Sequence, residues 1–207
     1  MSPRPYRRGH RQAGAEQTRE RIVRAARELL SAPEGIAGFT VEAVARHAGV
    51  ARMTVYYQFG SRTRLLEALF DSLASHQGAG RLVEAIGHPE PLTGLGDFIT
   101  AIGGFWAADR VLVRRLQGLA ALDPEFERIW REREGLRRQG LADLAGRLSE
   151  HHGRPPARAL AMAVDVLYAL IAFETFDALA GPDRDLTEAA PLVLRLARAG
   201  LDLPAEP

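Results

Sequence analysis

The twenty residues from Thr40 to Phe59, TVEAVARHAGVARMTVYYQF, constrain the architecture more than any other stretch of the chain. Val41, Val44 and Ala45 recur at i, i+3 and i+4, the apolar stripe of a short helix, and the Thr40 hydroxyl stands where an amino-terminal cap belongs. Gly49 comes next; without a Cβ it takes positive φ freely, which suits a tight turn between two helices. From Arg52 to Phe59 a second pattern puts Val55 and Phe59 on one face at i, i+4. Arg52, Met53, Thr54, Tyr56 and Tyr57 fall mostly on the other sides. A cation, a hydroxyl and two phenols turned to solvent suit a polar, anionic surface. Two short helices hinged at a glycine, the second so equipped, form the pattern of a helix-turn-helix that reads DNA.

Charge points the same way. Residues 1–70 hold twelve arginines against six acids, a balance of +6, so the rest of the chain carries −5 to reach the overall +1. A basic amino-terminal third on an otherwise acidic chain suggests an anion-binding end joined to something else. A solvated basic face without a partner is the blander reading of the charge alone. All 27 cations are arginine. Guanidinium pairs bidentately with phosphate or guanine, although a GC-rich genome explains the bias more simply.

The region from about Glu16 to Ser75 resembles the DNA-binding domain of tetracycline-repressor (TetR) type regulators. The matching strings are RIVRAARELL, then FTVEAVARHAGVARMTVYYQF, then GSRTRLLEAL. The most specific part is Val55-Tyr56-Tyr57-x-Phe59-Gly60-Ser61, followed by a cation and the Leu65-Leu66 pair. Ala51, Met53 and Arg62 depart from the commoner residues, a small hydroxyl, glycine and lysine. The resemblance implies an all-α chain of about nine helices. It would comprise a three-helix helix-turn-helix head and a carboxy-terminal helical domain for ligand binding and dimerisation. The expected division is a mobile basic arm at 1–15, the head at 16–76 with its motif at 40–59, and the regulatory domain at 77–207.

Composition permits this and excludes little else. The chain has 207 residues, 46% hydrophobic and 26% charged, and no cysteine, which removes disulfides, thiolate metal sites and cysteine nucleophiles. The first twelve residues are basic without an apolar run behind them, unlike a secretory signal. No segment approaches the roughly 18 uninterrupted apolar residues of a membrane span, and the cytoplasm is the expected location. Arg4, Arg7, Arg8 and Arg11 in the arm suit either a DNA groove or mere solubility.

Beyond the arm, a first helix is expected over Gln17–Ser31, closed by Pro33 and Gly35. Ser61 is placed to cap a fourth helix carrying Leu65, Leu66, Leu69, Phe70 and Leu73. Glycines and prolines punctuate residues 76–90, which suggests a boundary. Helical patterns then follow over Gly94–Ala108, Arg110–Leu122 and Glu125–Ser149. Asp123-Pro124 supplies a cap and a first-turn proline, and Gly135, Gly140 and Gly146 weaken the helix they begin. Pro155-Pro156 opens the longest apolar helix, expected over Ala157–Ala180, and Thr187–Gly200 forms the last. No strand alternation or internal repeat is visible.

The residues expected to touch DNA are Thr40, at a helix amino terminus that suits a phosphate, with Arg52, Met53, Thr54, Tyr56, Tyr57 and Arg62. For Tyr57 the competing reading is a ring in the core with only its hydroxyl showing. The resemblance places a backbone contact at Arg62. One head offers too few base contacts for specific affinity, so a homodimer on a palindromic or near-palindromic duplex is expected, its heads roughly 34–36 Å apart. Val164, Leu167, Ile171, Leu192 and Leu196 supply apolar surface for the seam, part of which must be intramolecular core. A small-molecule effector is implied by the resemblance, with Trp106, Trp130, Asp165 and Tyr168 as its candidate contacts. His151-His152 are adjacent and do not make a metal site. No nucleophile elbow, phosphate loop or zinc-protease motif is present, so neither catalytic residues nor a cofactor are expected. A structural DNA-binding protein without a ligand pocket is the alternative; a helical enzyme is a more remote one.

Overall fold

The computed structural model describes the backbone of residues 5–77, 79–152 and 157–201, and the side chains of residues 13–73, 80–150 and 158–201. Every regular element among them is helical, in this order: α1 (Pro5–Ser31), α2 (Gly35–Gly38), α3 (Val41–His47), α4 (Arg52–Phe59), α5 (Arg62–Gln77), α6 (Ala79–Gly87), α7 (Pro91–Ala107), α8 (Arg110–Leu122), α9 (Pro124–His152), α10 (Ala157–Leu170), α11 (Phe173–Ala180), a 3-10 turn at Leu186–Ala189, and α12 (Ala190–Gly200). The chain divides into two units, one of residues 1–72 with 114–128, the other of residues 73–113 with 129–207.

In the first unit Ile22, Ala26 and Leu30 of α1, Val44 of α3, Val55 of α4 and Leu65, Leu66 and Leu69 of α5 are buried together. Segment 114–128, which the sequence places in the carboxy-terminal region, packs here too. The reason lies at the end of α1. Gly35, at φ 52°, has Arg115 directly over it, and a Cβ there would stand 2.9 Å from the guanidinium carbon. From that position Arg115 donates to the carbonyls of Leu30 and Ala32, acceptors that the end of a helix leaves without partners. Asp123 caps α9 as its sequence suggests, Oδ1 accepting from the Glu125 and Phe126 amides at 3.1 Å each.

In the second unit α7 is the buried centre. Leu95, Phe98, Ile99, Ile102 and Trp106 are all enclosed, and α6, α11 and α12 pack around it. Helix α6 occupies the stretch that glycine and proline content marks as a boundary. It approaches α7 so closely that a Cβ on Gly94 would lie 2.5 Å from the Ala85 carbonyl oxygen. Helix α9 runs unbroken through its three glycines; Gly140 is buried, with Ile86 filling the space of its missing side chain. Arginines again close helix ends, Arg147 donating to the Ile86 and His88 carbonyls and Arg110 to that of Gly181 at 2.6 Å.

Two expectations are corrected. Helix α1 begins at Pro5, not Gln17; the side chains of Arg4, Arg7, Arg8 and Arg11 lie outside the described residues, as do those of His151 and His152 and the whole of Pro155-Pro156. The single helix over 157–180 is two, bent by 51° around residues 171–172. No glycine or proline marks that break. Ala172 turns extended, at ψ 147°, and the Ile171 carbonyl that the break releases accepts the buried Trp106 indole N–H at 2.9 Å. Among the described residues no single helix is long and apolar enough to cross a membrane; α10 and α11 reach that length and composition only together, across their bend.

Candidate nucleic-acid interface

Thr40 opens α3 in extended conformation, φ −126° and ψ 157°, its hydroxyl oxygen accepting the Ala43 amide at 3.1 Å. The hydroxyl hydrogen remains available to a phosphate. Gly49 sits at φ 64°, and the turn is closed by the Val50 amide on the Ala45 carbonyl at 2.9 Å. Helix α4 then starts at Arg52, and Ala51 before it provides no side-chain cap.

The packing of α4 follows its sequence pattern. Val55 and Phe59 are buried, while Met53 is 72% and Tyr57 88% exposed. The Tyr57 ring therefore stands in solvent along with its hydroxyl, and the core reading of that side chain is removed. Thr54 and Tyr56 are half-buried. Arg52 is exposed and engaged: Nε lies 2.8 Å from Glu42 Oε1, Nη2 donates to the Tyr56 hydroxyl at 3.3 Å, and the guanidinium carbon is 5.4 Å from the Tyr56 ring centroid. The Tyr56 hydrogen bond first, and the Glu42 charge second, raise the Arg52 pKa above its ordinary value.

Arg62 differs from its expected role in the free protein. Its Nη1 donates to Asp123 Oδ2 at 3.1 Å and its guanidinium covers Phe39 at 5.4 Å, so a phosphate must compete with a carboxylate. Next to it the buried Thr63 hydroxyl donates to Glu125 at 2.8 Å. Ser61 caps α5 through the Arg64 amide at 3.1 Å, as expected.

Three supporting contacts escape the sequence. Arg19 of α1 lies over the Phe59 ring at 4.4 Å and donates to the Gln58 carbonyl at 3.0 Å, pinning the end of α4. His47 and Glu28 join α3 to α1 at 2.6 Å. Glu42 is the third. Each pair is ten or more residues apart in the chain, and no local periodicity announces it.

This geometry is shared with known proteins. The family described as bacterial regulatory proteins, tetR family, matches residues 22–69. The helix pair of this chain thus falls within a segment that matches the amino-terminal domain of that family. The HTH-type transcriptional regulator SrpR of Pseudomonas putida is 43% identical over 65 residues, which is 31% of this chain and 29% of that one. TtgR, also an HTH-type transcriptional regulator of Pseudomonas putida, is 35% identical over 79 residues, 38% of this chain and 37% of its own. The chain thus spans about a third of the length of these curated relatives. Likeness of fold reaches further. NalD, the secondary repressor of the MexAB-OprM multidrug efflux pump in Pseudomonas aeruginosa, aligns with TM-score 0.66 and 25% identity over 90% of this chain and 96% of its own. The transcriptional regulator FadR from Bacillus subtilis, in complex with stearoyl-CoA, aligns with TM-score 0.68 and 20% identity over 87% and 98%.

The second unit holds the other predicted residues. Trp106 is wholly buried, edge-on to Phe105 at 4.8 Å and Phe173 at 5.7 Å, with Arg137 over its face at 4.6 Å. Burial pushes the Arg137 pKa down to about 10, against the opposing pull of Tyr168 and Glu174. Arg137 also pairs with Glu134, which accepts the Tyr168 hydroxyl at 2.5 Å. Trp106 and Tyr168 thus meet at one cluster. Asp165 does not join it; it faces solvent and pairs with Arg138. Trp130 is half-buried on α9. A separate groove of about 400 Å³ is lined by α6, α7 and the turn between them, with Arg81, Glu84, His88 and Asp97 among its residues. Among the described residues no group of three His, Asp or Glu is placed to hold a metal ion.

The expected seam divides in two. Val164, Leu167 and Ile171 are buried inside the unit, and belong to its own core. Leu192 is half-buried and Leu196 exposed. Among the described residues, the large apolar side chains left exposed on α10 and α12 are Met162, Val166 and Leu196. Helical periodicity marks an apolar stripe without saying which edge of it the chain itself covers.

Proposed function

We propose that this chain is a homodimeric, sequence-specific DNA-binding regulator, a repressor released from its operator by a small molecule and acting in the cytoplasm. The observation that carries the reading is the surface of α4: Arg52, Met53 and Tyr57 face solvent while Val55 and Phe59 anchor the helix. A second helix so mounted lies in the major groove, and the first crosses the backbone. Thr40, Thr54, Tyr56 and Arg62 complete the contact set, with Arg62 exchanging Asp123 for a phosphate. The description of NalD as a repressor supports repression here. The effector seat is proposed at the cluster of Trp106, Tyr168 and Arg137, with Trp130 and Asp165 as the remaining candidate contacts. Binding at that cluster that favours one conformer of the unit would lower operator affinity in proportion to its preference.

The test is selection of bound duplexes from a random pool, matched to the gene's upstream region, then titration of the selected duplex with and without added ligands. A near-palindromic preference is expected. Absence of any preferred sequence would favour the structural DNA-binding alternative.

For the dimer, the apolar surface is proposed at Met162, Val166 and Leu196, which are exposed on the packed pair α10 and α12. Placing a carboxylate there puts two like charges in an isologous seam. Leu196→Glu is therefore expected to shift the protein to monomer in sedimentation at micromolar concentration, with folding retained because the side chain is exposed. A dimer of unchanged stability would move the seam elsewhere.

A further inference from the structure

Glu42 and Tyr56 occupy two edges of the Arg52 guanidinium and leave the rest of it open. Nε faces Glu42 at 2.8 Å and Nη2 donates to Tyr56 at 3.3 Å. Among the described residues nothing takes the two Nη1 hydrogens or the second Nη2 hydrogen. That count suffices for a bidentate bond to the N7 and O6 acceptors of guanine. Resting on the DNA-binding reading above, we propose that Glu42 is a specificity-determining positioning residue, which holds Arg52 for a guanine edge and against the phosphate backbone.

The physical basis is the difference between the two acceptors. A phosphate carries full charge, so a phosphate that approaches Arg52 also approaches the Glu42 carboxylate and is repelled by it. Guanine N7 and O6 are neutral and meet no such repulsion. Pairing with Glu42 cancels most of the field that would draw Arg52 to the backbone, yet leaves its hydrogen-bond donors intact. The Tyr56 ring and hydroxyl, one helical turn along, restrict the side chain further. Both partners lie on the head itself, Glu42 on α3 and Tyr56 on α4, so the arrangement is in place before DNA arrives.

The experiment uses the full chain in four forms: wild type, Glu42→Ala, Glu42→Gln and Arg52→Ala. Each is put through random-pool selection and then titrated against one random duplex at several salt concentrations. In wild type one guanine position should depend on Arg52, its preference falling by roughly 5- to 100-fold in Arg52→Ala. Glu42→Ala should lower preference at that same position by about threefold or more, in the range of an exposed ion pair. It should at the same time tighten binding to the random duplex, and steepen its salt dependence by about 0.9 per head as Arg52 takes a phosphate. Glu42→Gln, which keeps an acceptor oxygen without the charge, should share the gain on random duplex and recover part of the guanine preference. A merely structural role for Glu42 would weaken all sequences together, leave the preference unchanged, and overturn the proposal. It is equally overturned if no position depends on Arg52. Failure of the wild type to bind any duplex would instead remove the functional reading, and the inference with it.

Discussion

Tyr57→Ala is expected to weaken binding to the selected duplex at least tenfold while leaving the unfolding transition where it is. Tyr57 is 88% exposed, and among the described residues no hydrogen bond or ring contact ties it to the rest of the fold. Surface substitutions of this kind change stability by about 0.5 kcal/mol or less. Binding is another matter. A large rigid ring with a terminal hydroxyl loses little conformational freedom on docking, and aromatic anchors of this sort carry much of the affinity of an interface. In the proposed dimer α4 would enter the groove once from each protomer, so the loss per head would be felt twice. Fluorescence anisotropy on the operator and on a random duplex, beside thermal unfolding, measures both sides. A uniform loss across sequences indicates a sugar or phosphate contact, whereas a loss confined to one base pair indicates base reading. Binding within twofold of wild type would take Tyr57 out of the interface.

Trp106→Ala should remove about 3–5 kcal/mol of folding stability, the usual cost of truncating a buried aromatic. Three effects add at this position. A large side chain in a closed core leaves a cavity. The Ile171 carbonyl, freed by the break between α10 and α11, loses its donor at 2.9 Å. Arg137, already poorly solvated, loses the ring face it covers at 4.6 Å. For a chain of this size a loss of 1 kcal/mol lowers the Tm by about 2–4 °C, so a fall of roughly 10 °C is expected. Trp106→Phe separates the effects, since it keeps most of the volume and deletes the donor; about 1–2 kcal/mol should go with the unsatisfied carbonyl. Denaturant unfolding reads both variants. An alanine variant within 1 kcal/mol of wild type would show that α7 does not organise its unit.

The recognition motif is legible because everything that shapes it is local. Thr40 as a cap, Gly49 at positive φ and the Val55–Phe59 face each follow from spacings of four residues or fewer, and the structure has all three. The cap at Asp123 and the one at Ser61 are legible on the same ground. Exposure of Met53 and Tyr57 follows once Val55 and Phe59 are known to point inward. By contrast the extension of α1 back to Pro5, the presence of α6 and the continuity of α9 past Gly140 run against local propensity. Intrinsic preferences of glycine amount to about 1 kcal/mol, and along α6 and at Gly140 packing against a neighbouring helix outweighs them.

The all-α class, the position and hinge of the helix pair, and the surface it turns outward were settled by the amino-acid order, since each depends on periodicity and on backbone preferences that a residue carries with it. The tertiary structure alone decided which arginines close helix ends, that Arg62 meets Asp123 and Arg52 meets Glu42, where α10 breaks beneath Trp106, and that Val164, Leu167 and Ile171 turn inward while Met162, Val166 and Leu196 do not. A guanidinium on a long flexible stem reaches any acceptor within several ångströms, and an apolar stripe has no preference among apolar neighbours. Only the folded chain, by bringing distant segments together, makes those choices.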